Sequence, residues 1–341
     1  MKRTCQFIFA LCATVFANVG AAQEVTLRLH HFLPPQSTVP AEILDVWAYR
    51  VEADSDGRIK IDRFPSMQLG GTPPQLIDQA IDGVADIVWT VAGYTPGRFP
   101  QLEVFELPFI SSDAEATSRA YWELAEARMM DTDFAAFTPL GLWVHGPGVI
   151  HANRPITEVG DLRGLKLRAP SRTTTTLFTE LGASAVGMPV PAVPESLSRG
   201  VIDAAVIPWE VAPSLKVEEL VAFHTEFPGD HLYTLAFIMA MNTDAYNALP
   251  ADLQAVIDAN SGVEFSAFAG RTQQAADAKG RALAADRGNT IITLTSDQAA
   301  AWRAASEPTI AAWIAEATAN GLDGQGIYDD ALALIAKHRS G

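Results

Sequence analysis

Apolar and polar residues alternate along Val25-Thr26-Leu27-Arg28-Leu29-His30-His31-Phe32, the two-residue period of a strand with one buried face, and Pro34-Pro35 ends it. The spacing then predicts a helix over about 39–55, a strand over 58–64, a loop at Gly70-Gly71, a helix over 74–82 and a buried strand over 83–90. Strands alternating with helices in this way build an α/β lobe. The loop over 91–97 lies at the carboxyl end of the last strand, where open α/β sheets place ligands. Trp89 and Tyr94 are candidate aromatic walls there; Trp89 would serve equally well as ordinary core packing, Tyr94 less readily in its Gly-rich loop.

Further along, 113–137 has an acidic, amphipathic helical pattern, and 140–151 forms a long strand interrupted at Gly146-Pro147-Gly148. In the stretch after it, Leu165, Leu167 and Ala169 alternate with Lys166 and Arg168, so a short strand ends near Arg168. Pro170 and the hydroxyl run from Ser171 to Thr176 then start a helix. Free backbone N–H groups, hydroxyls and a second cation, Arg172, thus gather beside Arg168, an arrangement that suits a carboxylate or phosphate. A plain surface loop with a capped helix fits the same residues. A buried strand over 201–210 and a return strand from Tyr233 to Met241 follow. Beyond Asn242 the chain reads as helices over 250–287, 296–320 and 327–338.

Composition narrows the chemistry. The formal net charge is −16, from 24 Lys and Arg against 40 Asp and Glu, which repels polyanions and makes nucleic acid an unfavourable partner. Lys2 and Arg3, the apolar run from Phe7 to Phe16 and the small residues Gly20-Ala21-Ala22 read as an export signal over 1–22, too short for the roughly 20 apolar residues of a membrane span. Both cysteines, Cys5 and Cys12, fall inside it. The mature chain is therefore expected to hold no disulfide, thiolate metal site or thiol nucleophile. No metal and no cofactor is expected. A nucleophile elbow is missed by one residue at Gly182-Ala183-Ser184-Ala185-Val186, and zinc-protease, phosphate-binding-loop and dinucleotide motifs are absent. His30 and His31 are unattractive as a metal pair, since neighbours on a strand point to opposite faces.

The run Asp161-Leu162-Arg163-Gly164-Leu165-Lys166-Leu167-Arg168-Ala169-Pro170, followed by Leu181-Gly182-Ala183, by the segment Val190 to Glu195 and by Arg199 to Ala204, resembles the DctP-type solute receptors of TRAP transporters. Phe64 to Gly70 and Phe105 to Phe109 are two more landmarks in the family's order, so the resemblance spans the mature chain. It implies a bilobal, periplasmic-binding-protein-like α/β fold, with two α/β lobes, a ligand cleft between them and a long helix spanning both. The implied lobes are 23–145 plus 234–273 and 146–233 plus 274–341. The implied role is a periplasmic receptor, expected to be monomeric, that captures a small organic acid and delivers it to the TRAP permease subunits.

The resemblance also implies site residues. Arg168 matches the arginine that salt-bridges the ligand carboxylate, with Arg172 beside it. His31 and Phe32 end the first strand at the cleft, and Phe237 belongs to the return strand. Where some members carry a second arginine, this chain reads His145-Gly146-Pro147-Gly148, and Ile207 stands where several carry asparagine. Trp209 is a candidate platform, and Glu210 an acceptor for a ligand hydroxyl, a ligand ammonium or a bound cation. Relatives that hold a metal order their Glu and Trp differently, so no metal is carried over. With one strong cation and many flat apolar side chains, the expected ligand is a monocarboxylate with an apolar or aromatic body, ahead of a sugar acid or C4-dicarboxylate. A secreted enzyme acting on small organic acids is the alternative from another class.

Overall fold

The computed structural model describes residues 23–339, so the export signal expected over 1–22 lies outside the described residues. Two sheets organise the chain. The first has strand order β2-β1-β3-β10-β4, from β1 (Val25–His31), β2 (Ile59–Phe64), β3 (Ile87–Val91), β4 (Thr138–Val144) and β10 (Ala236–Met241). The second has order β11-β9-β5-β8-β6-β7, from β5 (Gly148–Ala152), β6 (Lys166–Ala169), β7 (Ser184–Gly187), β8 (Ala204–Pro208), β9 (Phe223–Glu226) and β11 (Thr290–Thr293). Central strands such as β3, β8 and β10 are buried along their whole length, which is why they read as continuous apolar runs.

Each sheet contains one strand running against both of its neighbours: β10 against β3 and β4, and β5 against β8 and β9. These are the strands through which the chain changes sheet. It leaves β4 for β5 across His145-Gly146-Pro147 and returns from β9 to β10 across 227–235. A third crossing is helical. Val263–Ala275 packs on β4, Asp277–Asp286 packs on β11, and the single residue between them, Ala276, keeps helical angles of φ −73° and ψ −13°. The long helix implied by the resemblance is thus two helices in series. Three crossings side by side make the joint about which such lobes close.

One lobe assignment is corrected. The last helix, Gly324–Arg339, falls in the stretch expected in the second lobe, yet it packs against Ala114–Arg128 beside the first sheet. The cause is a buried stripe, Ile327, Ala331 and Ile335, at four-residue spacing. Flanking ion pairs join Arg128 to Asp330 at 2.5 Å and Lys337 to Glu123 at 2.8 Å. Among the described residues, no helix is long and apolar enough to cross a membrane.

Candidate ligand-binding site

Between the sheets lies a small cavity lined largely by apolar and aromatic side chains. Arg168 enters it from β6. Its neighbour Leu167 packs into the lobe core, and strand alternation turns the guanidinium the other way. Only 2% of Arg168 is exposed. Nε donates to Met188 O at 2.9 Å and Nη1 to Val206 O at 3.0 Å, whereas Nη2 is buried without a partner. Among the described residues no carboxylate forms an ion pair with Arg168. Burial pulls its pKa down, partly offset by the Tyr94 and Tyr233 hydroxyls nearby. A guanidinium nevertheless stays protonated in proteins, so the cavity holds a dehydrated cation with a free N–H.

The helix start after Arg168 is capped from within the chain. Ser171 caps Arg172–Glu180, accepting from Thr174 N at 3.3 Å in a reciprocal box with the Thr174 side chain. The anion chemistry therefore rests on the guanidinium and two phenols. Tyr94 Oη accepts from Val190 N at 2.9 Å, which leaves its own proton free to donate, and Tyr233 Oη has no partner.

Aromatic rings form the rest of the wall. Phe32 stacks on Trp89 at 4.7 Å and 17°, Trp89 on Phe237 at 5.3 Å, and Tyr94 meets Phe32 edge-on at 5.6 Å. Ile207 supplies an aliphatic surface. His145 stands at the crossing between β4 and β5, edge-on to Tyr233 at 5.5 Å. Its Nδ1 must donate to Gly146 O at 2.6 Å, which leaves the buried Nε2 as an unpaired acceptor. Burial, with the charge of Arg168 contributing, pushes the His145 pKa down to about 3, so the ring is neutral.

Glu210 sits at the end of the segment after β8. Its Oε1 accepts from Gln273 Nε2 at 2.6 Å, while Gln273 Oε1 accepts from Trp143 Nε1 at 2.9 Å. An indole N–H can only donate, so this relay fixes the amide and hence the carboxylate. Glu210 Oε2 is buried with no partner. Burial lifts the Glu210 pKa to about 7; Gln273 and the nearby Thr38 hydroxyl hold it down, and Glu42 pushes it up.

Residues 29–316 match the model of the bacterial extracellular solute-binding protein family 7, DctP. The chain belongs to this family. It is similar to the structure of a TRAP solute-binding protein from Rhodoferax ferrireducens T118 in complex with copurified benzoate, at 48% identity and TM-score 0.91, covering 92% of this chain and 98% of that one. A marine metagenome TRAP protein specific for aromatic acid ligands, in complex with 3-hydroxybenzoate, is 44% identical at TM-score 0.91, over 93% and 99% of the two chains. The C4-dicarboxylate-binding periplasmic protein DctP of Rhodobacter capsulatus is 24% identical over 84% of this chain and 86% of its own. The chain is thus a TRAP solute-binding protein.

Of the residues expected at the site of this DctP-family chain, Arg168, Glu210, Phe32, Trp89, Tyr94, His145, Ile207 and Phe237 meet around one cavity. Three do not. Trp209 turns away from its neighbour Glu210, its ring against His151 at 5.0 Å and its Nε1 donating to Glu226 at 2.7 Å. His31 points behind the wall and meets Trp89 at 6.3 Å, edge-on. Arg172 is drawn outward into ion pairs of 2.5 Å with both Glu103 and Glu316. Tyr233, Gln273, Val190 and Leu235 line the cavity without having been expected there. A sequence signal existed for Gln273, which continues the buried four-residue spacing of Phe265 and Ala269 in an Ala-rich helix.

Proposed function

We propose that this protein is the periplasmic receptor of a TRAP transporter for a small monocarboxylate with an aromatic or apolar body, which it binds between its lobes and hands to the membrane permease. The observation that carries the reading is the Arg168 Nη2 atom, a buried charged donor with no partner in a cavity walled by Phe32, Trp89 and Phe237. A ligand carboxylate supplies the missing counter-charge, with Tyr94 and Tyr233 completing its hydrogen bonds. The flat walls take the ring. The benzoate- and hydroxybenzoate-bound relatives support the ligand class. A dicarboxylate would leave its second charge among apolar side chains and beside Glu210, at a desolvation cost that nothing in the cavity offsets. We read the protein as a receptor without catalytic activity. On this reading the first lobe is 23–145 plus about 234–273 and the last helix, and the second is 146–233 with the helices between.

Calorimetric titration of the mature protein with benzoate, mandelate, succinate and glucuronate tests this. Saturable binding of an aromatic monoacid, with no heat from succinate or glucuronate, is expected. Tight succinate or glucuronate binding with no response to the aromatic acids would overturn it.

A further inference from the structure

The aromatic-acid reading leaves two buried acceptors of the cavity without a purpose, His145 Nε2 and a carboxylate oxygen of Glu210, and of these only the carboxylate carries charge. Glu210 lines the same cavity as Arg168, borders a second pocket beside Thr38, is 6% exposed, and has an Oε2 atom with no hydrogen-bond partner. Its position is not slack. Trp143 orients Gln273, Gln273 holds Oε1 at 2.6 Å, and the Glu210 backbone N–H donates to Asp277 Oδ1 at 2.8 Å. The Thr38 hydroxyl lies near the carboxyl group and holds its pKa down, while Oε2 keeps no hydrogen-bond partner. A fixed, dehydrated acceptor is unfavourable unless something donates to it, because an unpaired buried oxygen forfeits its full hydration. Arg168 does not fill that role, as no ion pair joins the two.

We propose that Glu210 is the specificity residue for a ring hydroxyl, so that the receptor selects hydroxylated aromatic monocarboxylates, with the hydroxyl meta or para to the acid, over the unsubstituted ring. This rests on the aromatic-acid reading and adds a second polar anchor to it. The carboxylate of the ligand binds Arg168, and its phenolic O–H donates to Glu210 Oε2. An unsubstituted ring would leave that oxygen bare. A methyl ether in place of the hydroxyl has no proton to give and fails for the same reason.

The test is calorimetric titration at pH 8.5, above the Glu210 pKa of about 7, where its carboxylate form predominates. The ligands are benzoate, 3- and 4-hydroxybenzoate, 3- and 4-methoxybenzoate and 3-(aminomethyl)benzoate, each against the wild type and Glu210→Met. One hydroxybenzoate should bind the wild type roughly tenfold to a hundredfold more tightly than benzoate, the range of a hydrogen bond to a charged group, and its methoxy counterpart should show no such gain. In Glu210→Met the ratio of the benzoate and hydroxybenzoate dissociation constants should fall to about one. Should that variant not fold, the hydroxy-to-methoxy comparison in the wild type decides alone. Benzoate binding as tightly as both hydroxy acids, or an unchanged ratio in a folded Glu210→Met, overturns the inference and leaves the aromatic-acid reading standing. Tighter binding of the aminomethyl acid than of either hydroxy acid overturns it in favour of an ammonium site. No binding of any aromatic acid overturns both.

Discussion

Arg168 and Glu210 face one cavity and do not pair. Each is tied to its own surroundings, Arg168 to the carbonyls of Met188 and Val206, Glu210 to the amide of Gln273. Opposite charges in a water-poor cavity attract strongly, and a salt bridge between them would neutralise the site. Holding them apart keeps an unpaired cationic donor and an unpaired carboxylate acceptor available at the same time. A ligand with an acid at one position and a donor at another satisfies both, and that requirement is stricter than either group alone would impose.

The first prediction concerns the cost of keeping Arg168 unpaired. Arg168→Ala should weaken ligand binding by roughly 2–5 kcal/mol, the range for truncating one partner of a buried charge pair. Arg168→Lys should also lose affinity, because a point charge cannot reproduce the planar fork. Arg168→Met should remove a dehydrated charge from the free protein, so its thermal midpoint without ligand is expected to equal or exceed that of the wild type. Unchanged affinity in a folded Arg168→Ala would show that the anchor lies elsewhere. A clear fall in the ligand-free midpoint of Arg168→Met would show that the two carbonyl bonds outweigh the buried charge.

A second prediction follows from Gly148. A Cβ at this position would lie inside the Tyr233 ring, whose backbone carbonyl the Gly148 N–H already meets at 3.2 Å. Gly148→Ala must push Tyr233 toward the cavity or part β5 from the return segment. Overpacking of this kind costs roughly 1–3 kcal/mol. The variant should melt earlier and bind its ligand more weakly, whereas Gly160→Ala, where a Cβ would meet only the Glu158 side chain at 3.4 Å, should leave binding intact. Normal affinity in Gly148→Ala would mean that Tyr233 does not border the bound ligand.

Much of this site could be read in the chain, and what could not has physical reasons. The alternation around Arg168 and the apolar runs of β3, β8 and β10 predicted strands because burial on one or both faces writes a pattern. β7, β9 and β11 left no such mark. They are four residues long, and β7 and β11 have only half-buried and exposed side chains, so partner strands rather than local pattern create them. Trp209 was misplaced for a related reason. A residue at the end of a strand can face either side, and the His151–His224 pair behind β8 claimed the indole. Arg172 looked free until chain far away in sequence supplied Glu103 and Glu316.

Arg172 gives a third prediction. It lies on the helix after β6, whereas Glu103 belongs to the segment after β3, so their bond ties the second lobe to the first. Glu103 is buried, and burial raises its pKa while the bond to Arg172 lowers it. Domain closure should therefore be favoured by a contact that never touches the ligand. Arg172→Ala should raise the ligand dissociation rate by roughly fivefold, because the pair, with Glu103 buried and Arg172 partly exposed, contributes about 1 kcal/mol to closure. Stopped-flow displacement measures this. A rate unchanged in low salt, where such a pair is strongest, would show that it does not favour closure.

The fourth prediction concerns acid, and it rests on the histidines behind β8. His151 Nε2 donates to Ile207 O at 3.0 Å, so its Nδ1 must accept, and the 2.8 Å contact to His224 Nδ1 makes His224 the donor. Asn289 Nδ2 then donates to His224 Nε2 at 2.9 Å. The chain carries one proton per link and has no place for another. Burial, reinforced by repulsion from a charged His224 and opposed by the Ile207 carbonyl, pushes the His151 pKa down from 6.5 to about 3. The folded pKa lies below the unfolded one, so between about pH 6.5 and 3 the unfolded chain holds a proton that the folded chain refuses. Stability is therefore lost as pH falls through that window. Other groups titrate over the same range, the raised Glu210 carboxyl among them, so the prediction concerns a difference between two proteins. Denaturant unfolding at pH 7 and pH 5 should show the wild type losing about 2 kcal/mol more than His151→Gln, whose amide keeps the bond to Ile207 without a titrating group. Equal losses in the two proteins would mean that His151 takes up its proton inside the fold, and the one-way proton chain behind β8 would have to be abandoned.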